Sequence, residues 1–184
     1  MKLYYTRHGE TEWNVLDNIC GRTDIPLTAK GIEQAEELAR NIAEMRLHFD
    51  LILVSPLQRA QQTAARVAAV TGMEPVTEKR LRECDYGDFE GKHRLTEGYM
   101  EAKLDFPHRF PNGESAFDLA ARTYGLIDEV YTKYPHGTVL FVCHGGICRI
   151  IESFASNFTA KDYENFYMGN CELRFVEINR QIAH

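Results

Sequence analysis

Two apolar runs in this chain end on the same signal, and that repetition constrains the fold more than any other feature. Near the N-terminus Leu3-Tyr4-Tyr5 leads through Thr6 into Arg7-His8-Gly9. Late in the chain Val139-Leu140-Phe141-Val142 leads into Cys143-His144-Gly145-Gly146. Short continuous apolar runs closed by glycine read as buried strands. The glycine ends the strand and lets the backbone come close to a ligand. In open α/β sheets, ligands bind beyond the carboxyl ends of the strands. Arg7 and His8 then stand at the mouth of a site, a fixed cation beside a nucleophile or base. One such histidine is more often a turn or core residue. Two of them, at two strand ends, can face each other across one pocket.

The rest of the chain alternates strand and helix patterns. Thr28 reads as a helix N-cap, and Ile32, Ala35, Leu38, Ala39, Ile42 and Met45 recur at spacings of three and four as one apolar face. Leu51-Ile52-Leu53-Val54 is a second buried strand, stopped by Ser55-Pro56. The helix after it turns Leu57, Ala60, Ala64, Val67 and Ala68 inward. Residues 75–80 read as a short strand and 95–104 as a short helix. Asn112-Gly113 makes a turn, and Ser115 caps a long helix with Phe117, Ala120, Tyr124, Ile127, Tyr131 and Tyr134 inward. Gly146 opens a further helix, another short one lies near 161–167, and a last strand spans 172–178. This order predicts an α/β fold, a three-layer α/β/α sandwich around a mostly parallel central sheet. The 184 residues suit one domain, 1–184. The weakly periodic segment 92–113 is a candidate lid or specificity region.

Composition narrows the function. A net charge of −6 argues against a nucleic-acid surface, yet leaves room for a few arginines around a small anion. Nothing approaches a membrane span, and the chain enters a strand at once with no signal-like segment, so no membrane partner and a cytoplasmic location are expected. The five cysteines, an odd number with no CxxC pair, are expected to be reduced thiols, and the seven histidines show no metal-ligand spacing. No metal and no cofactor is expected. Oligomeric state is not legible.

Arg59 adds a third group to the histidine pair. It falls in the first turn of the helix after Pro56, where a cation opposes the helix dipole but supports an anion site. Asn14 and Arg22 lie on a loop near His8, and Glu83 begins an acidic, glycine-punctuated stretch to Gly91. Guanidinium forks match phosphate oxygens, and histidine can carry a phosphoryl group covalently. A carboxylic acid from the 83–90 loop would protonate the leaving alkoxide. A rival reading uses Cys143, five residues and Arg149, the spacing of cysteine-dependent phosphatases. It leaves His8, Arg59 and Glu83 unused, and Cys143 is better explained as a small core residue. A non-catalytic phosphate-ligand binder is the third reading.

At this point the chain resembles the histidine phosphatase superfamily, in the branch shared by phosphoglycerate mutases and small-molecule phosphatases. The resemblance rests on Arg7-His8-Gly9-Glu10-Thr11 with Asn14, on Gly21 through Thr28, on Ser55 through Ala60, on Leu81 through Gly91, on Pro111 through Ser115 and on His144-Gly145-Gly146. It implies a phosphoglycerate mutase-like fold, with His8 as phosphohistidine nucleophile and Glu83 as proton donor. It further implies that Arg7, Arg59, His144 and Gly145 hold the phosphoryl oxygens, with Asn14, Gly21 and Arg22 lining the site, and that no metal takes part. Mutases of the family run longer, usually carry asparagine where Gly146 stands and tryptophan where Arg22 stands. The resemblance therefore implies a phosphatase of a small phosphorylated metabolite, with a cofactor-dependent phosphoglycerate mutase as the alternative.

Overall fold

The computed structural model describes residues 1–179; residues 180–184 of the expected domain lie outside it. In chain order the regular elements are β1 (Lys2–Arg7), α1 (Glu12–Val15), α2 (Ala29–Glu44), β2 (Leu51–Val54), α3 (Gln58–Thr71), β3 (Val76–Thr77), α4 (Tyr99–Leu104), α5 (Ala116–Lys133), β4 (Thr138–Cys143), α6 (Gly145–Ala155), α7 (Ala160–Asn165) and β5 (Leu173–Glu177). The sheet runs β3-β2-β4-β1-β5. Neighbours are parallel except β5, which pairs antiparallel with β1 at the edge.

Register is what assembles the site. Arg7 pairs with Cys143 across adjacent parallel strands, so His8 and His144 leave the sheet side by side at its carboxyl edge. The His8 N–H donates to the Cys143 carbonyl at 3.0 Å. Val54 pairs with Val142 on the other side of β4, which brings Ser55 to the same edge.

Alternation along the strands builds the layers. Leu3, Tyr5, Val139 and Phe141 face α5 and α6, packing on Leu119, Leu126, Ile127, Ile147 and Ile151. Tyr4, Ile52, Val54, Leu140 and Val142 face α2 and α3, packing on Leu38, Ile42, Ala60, Ala64 and Val67. Each fully buried Leu or Ile contributes roughly 1.5–3 kcal/mol. Helix starts are capped as the sequence implies. The Thr28 hydroxyl accepts the Gly31 N–H. Ser115 and Asp118 exchange side-chain and backbone bonds in a capping box, a feature worth about 1 kcal/mol.

Four elements depart from the sequence reading. Met45, expected on the apolar face of α2, stands at its C-cap and is exposed. α5 buries Leu119, Thr123, Leu126, Ile127 and Val130, with the expected Ala120, Tyr124, Tyr131 and Tyr134 packed half-buried against the same core, while Phe117 is 61% exposed. Phe117 sits in the first turn, over a shallow groove with Tyr163 of α7 rather than over the sheet. The strand expected at 75–80 pairs only over Val76–Thr77, because a 3-10 turn at Lys79–Leu81 carries the chain off the sheet edge. The helix expected from residue 95 begins at Tyr99, after Gly98 in the left-handed region.

Candidate active site

His8 is buried just past β1, with its backbone clamped on three sides. The Gly9 N–H donates to the Thr63 hydroxyl at 3.0 Å, and the His8 carbonyl accepts from Asn170 Nδ2 at 2.8 Å. The turn also passes tightly over α2: a side chain on Gly9 would meet the Gly31 carbonyl oxygen at 2.3 Å. Gly31 costs the helix some propensity, and this crossing is the reason it is there. The imidazole Nδ1 lies 2.7 Å from the Gly9 carbonyl oxygen. A carbonyl only accepts, so Nδ1 carries the proton and Nε2 carries the lone pair. Burial first, then the cations Arg59 and Arg7, hold this histidine well below its ordinary value of 6.5. His8 is a neutral imidazole with its nucleophilic nitrogen among positive charges.

Arg59 is fully buried in the first turn of α3. Its Nε–H donates to His8 Nε2 at 3.2 Å, and its two terminal nitrogens donate to the carbonyls of Thr23 and Gly21 at 2.8 and 2.7 Å. Arg7 is half-buried, anchored by a 3.0 Å bond to the Met168 carbonyl. The His144 ring lies 5.1 Å from that of His8, centroid to centroid. Its Nε2 is 2.7 Å from the Ser55 hydroxyl, and its Nδ1 is buried with no hydrogen-bond partner among the described residues. Burial followed by the charge of Arg59 keeps His144 neutral, well below 6.5. With the serine hydroxyl donating to Nε2, Nδ1–H is left as a donor for an anion. Gly145 stands beside Arg7 at the start of α6.

Glu83 is buried and reaches the same edge from the loop after β3. Its carboxylate accepts the Cys84 N–H and the Gly146 N–H, each at 2.8 Å. A side chain on Gly146 would meet Glu83 Oε1 at 2.3 Å. The glycine is therefore required for the carboxylate to lie on the first turn of α6.

Arg22 and Gly21 have partners of their own in the structure. The Arg22 Nε–H donates to the Glu83 carbonyl at 3.1 Å, and its terminal nitrogen pairs with Glu114 at 2.8 Å. Arg122 of α5 donates to the same Glu83 carbonyl at 3.0 Å and also pairs with Glu114. The Gly21 N–H goes to Glu90, which also takes the N–H groups of Arg22 and Thr23. Asn14 is the third helical residue of α1. Its Oδ1 accepts from the Thr11 N–H and from Asn170, which leaves its Nδ2 as the donor. The cysteine reading does not assemble. Cys143 is buried with its sulfur 3.6 Å from that of Cys148, and Arg149 stacks 4.8 Å over the Tyr163 ring.

Arg7, Glu83, Gly145 and Gly146 line one cleft together with Tyr86, Arg94, Tyr99, Arg149, Phe166, Tyr167 and Met168. Sequence reasoning left Arg94, Asn170, Thr63 and Arg122 unmentioned. Nothing in their local patterns distinguishes them from surface or helix residues. Among the described residues no group of three or more His, Cys, Asp or Glu converges as metal ligands, and no helix is long and apolar enough to cross a membrane.

The model of the histidine phosphatase superfamily (branch 1) matches residues 3–183. The chain belongs to this superfamily. Among its relatives, the probable phosphoglycerate mutase GpmB of Proteus mirabilis (strain HI4320) is 32% identical, over 96% of this chain and 85% of that protein. Phosphoserine phosphatase 1 of Hydrogenobacter thermophilus (strain DSM 6534 / IAM 12695 / TK-6) is 34% identical over 78% and 71%. The solved structure of the α-ribazole phosphatase from Shigella flexneri superimposes with a TM-score of 0.83 at 31% identity, covering 98% of this chain and 92% of that one. The superposition extends over the three-layer α/β fold with its mostly parallel sheet.

Proposed function

We propose that this member of the superfamily is a phosphatase that hydrolyses small phosphorylated metabolites through a phosphohistidine, with the reaction carried by its own side chains. The observation that carries the reading is the state of His8. It is a neutral imidazole, protonated at Nδ1 by its bond to Gly9, with Nε2 held against the guanidinium of Arg59. An arriving phosphoryl oxygen takes the Arg59 N–H and frees the Nε2 lone pair.

In the first step Nε2 bonds to phosphorus as the phosphorus–oxygen ester bond breaks. Arg7, Arg59 and His144 Nδ1–H, with Asn14 Nδ2–H and the Gly145 turn beside them, face the equatorial oxygens, where charge develops. The leaving alkoxide takes a proton from Glu83. In the second step water attacks phosphorus, Glu83 takes its proton, and the phosphorus–nitrogen bond returns its electrons to Nε2. Gly21 and Arg22 act one layer out. The Gly21 carbonyl holds Arg59 and the Arg22 side chain holds the backbone of Glu83. Segment 92–113 supplies Arg94 and Tyr99 to the cleft wall and is assigned as the lid and specificity element of a single catalytic domain. A cytoplasmic location fits a metabolite substrate.

Phosphatase-named relatives support hydrolysis; the GpmB relative keeps phosphoglycerate exchange as the second reading. The deciding experiment is phosphate release from a panel of phosphomonoesters and phosphoglycerates, wild type beside His8→Ala, with chelator present. Chelator-resistant release that is lost in the variant is the expected result. Exchange between phosphoglycerates outrunning release would make the protein a mutase, and release surviving in His8→Ala would remove the phosphohistidine.

A further inference from the structure

The cleft holds more positive charge than one phosphoryl group uses. Past Arg7 its wall carries Arg94 and Arg149 between Tyr99 and Phe166. Arg94 is committed, with Nε 3.0 Å from Asp17 Oδ1. Arg149 has no ion pair among the described residues: its Nε is buried without a hydrogen-bond partner there, and its one side-chain hydrogen bond among them goes to the neutral Tyr163. Its guanidinium lies 4.8 Å from the Tyr163 ring centroid and 5.8 Å from that of Phe166. Packing of this kind fixes the plane of an arginine, and the bond to Tyr163 uses only part of its five N–H donors.

A third cation reports the same imbalance. Lys103 of α4 is brought down to about 8, by burial first and then by the charges of Arg149 and Arg94. Among the described residues its Nζ donates to the Glu164 backbone carbonyl, at 3.5 Å, and the Glu164 charge offsets part of the shift. The one carboxylate lining the cleft, Glu83, is already bonded to two backbone N–H groups. In a chain of net charge −6, cations left facing one another beside a phosphoryl pocket form a local field that favours an anion.

We propose that Arg149, braced on Tyr163 and Phe166, is a specificity-determining residue that receives a second anionic group, carboxylate or phosphate, carried by the alcohol part of the substrate. The proposal rests on Arg7 and His8 forming the phosphoryl pocket and names the substrate class that pocket serves, a phosphomonoester with a second anionic group. An Arg fork accepts either oxyanion in two parallel bonds, so the source is separated by experiment.

The test compares kcat/KM within matched pairs. One pair is 3-phosphoglycerate against glycerol 3-phosphate, which replaces the carboxylate by a hydroxymethyl group. The other is fructose 1,6-bisphosphate against fructose 6-phosphate. The wild type is expected to favour the partner carrying the second anionic group in one pair tenfold or more, and the favoured pair identifies carboxylate or phosphate. Arg149→Met is expected to erase most of that ratio through KM, and Arg149→Lys to restore part of it. A ratio measured within one variant cancels any general loss of folded enzyme. No preference in either pair, or a preference untouched in Arg149→Met, overturns the proposal. Hydrolysis of p-nitrophenyl phosphate by the wild type, lost in His8→Ala, is the control for the phosphoryl pocket; its failure removes the underlying reading as well.

Discussion

Gly146→Ala tests the placement of Glu83 with a single methyl group. The new carbon would lie 2.3 Å from Glu83 Oε1 and 3.1 Å from its carboxyl carbon. Contact at van der Waals distance requires the carboxylate to retreat by roughly 1 Å, a displacement of the kind that costs about a hundredfold in rate. The retreat also breaks the 2.8 Å bond from the Gly146 N–H. Hydrogen bonds to charged groups contribute about 1.5–3 kcal/mol, and alanine returns up to about 1 kcal/mol of helix propensity in α6. Stability should therefore fall by no more than about 3 kcal/mol, and kcat is read on the folded enzyme.

The assay is kcat on two leaving groups. An alkyl phosphate needs its leaving oxygen protonated, and its rate should drop by about a hundredfold, or ~2.7 kcal/mol in barrier. p-Nitrophenyl phosphate leaves as a stable anion and should lose several times less. An alkyl phosphate rate within threefold of wild type, in a folded variant whose lowered melting temperature shows the bond broken, would refute Glu83 as the positioned proton donor. Equal losses on both substrates would assign the damage to the α6 turn and the neighbouring His144 instead.

Four further outcomes follow from the same geometry. His8 and His144 are both held below 6.5 in the folded protein, so below that pH the unfolded chain binds more protons. Their contribution to stability is complete above pH 6.5 and is lost as pH falls, at about 1.4 kcal/mol per pH unit for each. Urea titrations between pH 8 and 5 check this, and His144→Gln should remove about half the slope; a flat profile would contradict the neutral assignment. Arg122→Met leaves Glu114 and the Glu83 carbonyl short of a partner, with an expected kcat loss of about tenfold at nearly constant KM and partial recovery in Arg122→Lys; a lowered melting temperature with unchanged kcat would make the network purely structural. Arg59→Lys cannot serve two carbonyls and His8 at once, and kcat/KM for phosphate release should fall by about a hundredfold or more; near-wild-type kinetics would exclude a role for the fork. Cys20 is raised to about 11 and Cys171 to about 12, chiefly by burial, and Cys84 is raised likewise, so mild peroxide should leave phosphate release unchanged although Cys20 and Cys84 neighbour site residues; a rapid loss reversed by thiol would show a reactive thiolate.

Periodicity and strand-end grammar made most of this fold legible. The α2 face at Ala35, Leu38, Ala39 and Ile42 follows directly from three-and-four spacing. The buried strands carrying Arg7 and Cys143 follow from uninterrupted apolar runs. Phe117 failed the same logic because hydrophobicity alone does not say which of two flanking surfaces a first-turn residue meets. Arg59 was legible as a conflict: a cation at the wrong end of a helix dipole is tolerated because backbone carbonyls and His8 absorb its N–H groups. Thr63 and Asn170 were not legible. Each does its work through one backbone contact made far away in sequence, and no local pattern encodes such a contact.

Arg22 shows where a motif stops short of a mechanism. The residues around it carry the family resemblance, which implies a place at the phosphate. In the structure its guanidinium closes a relay of Arg22, Glu114 and Arg122 onto the Glu83 carbonyl. The loop from Gly21 is tied to Glu90 by three N–H bonds, and through the Gly21 and Thr23 carbonyls it holds Arg59. One loop thus positions the cation that touches His8 and the Glu83 carboxyl group proposed as the proton donor. A change at Arg22 should therefore appear in kcat, through Glu83, more than in KM. Substitution by tryptophan, the residue of the mutase pattern, would remove the bond to the Glu83 carbonyl while leaving the Glu90 ties to the backbone in place. If Arg22→Trp lost affinity for substrate at constant kcat, the side chain would belong to the phosphate after all, and the relay would be scaffolding only.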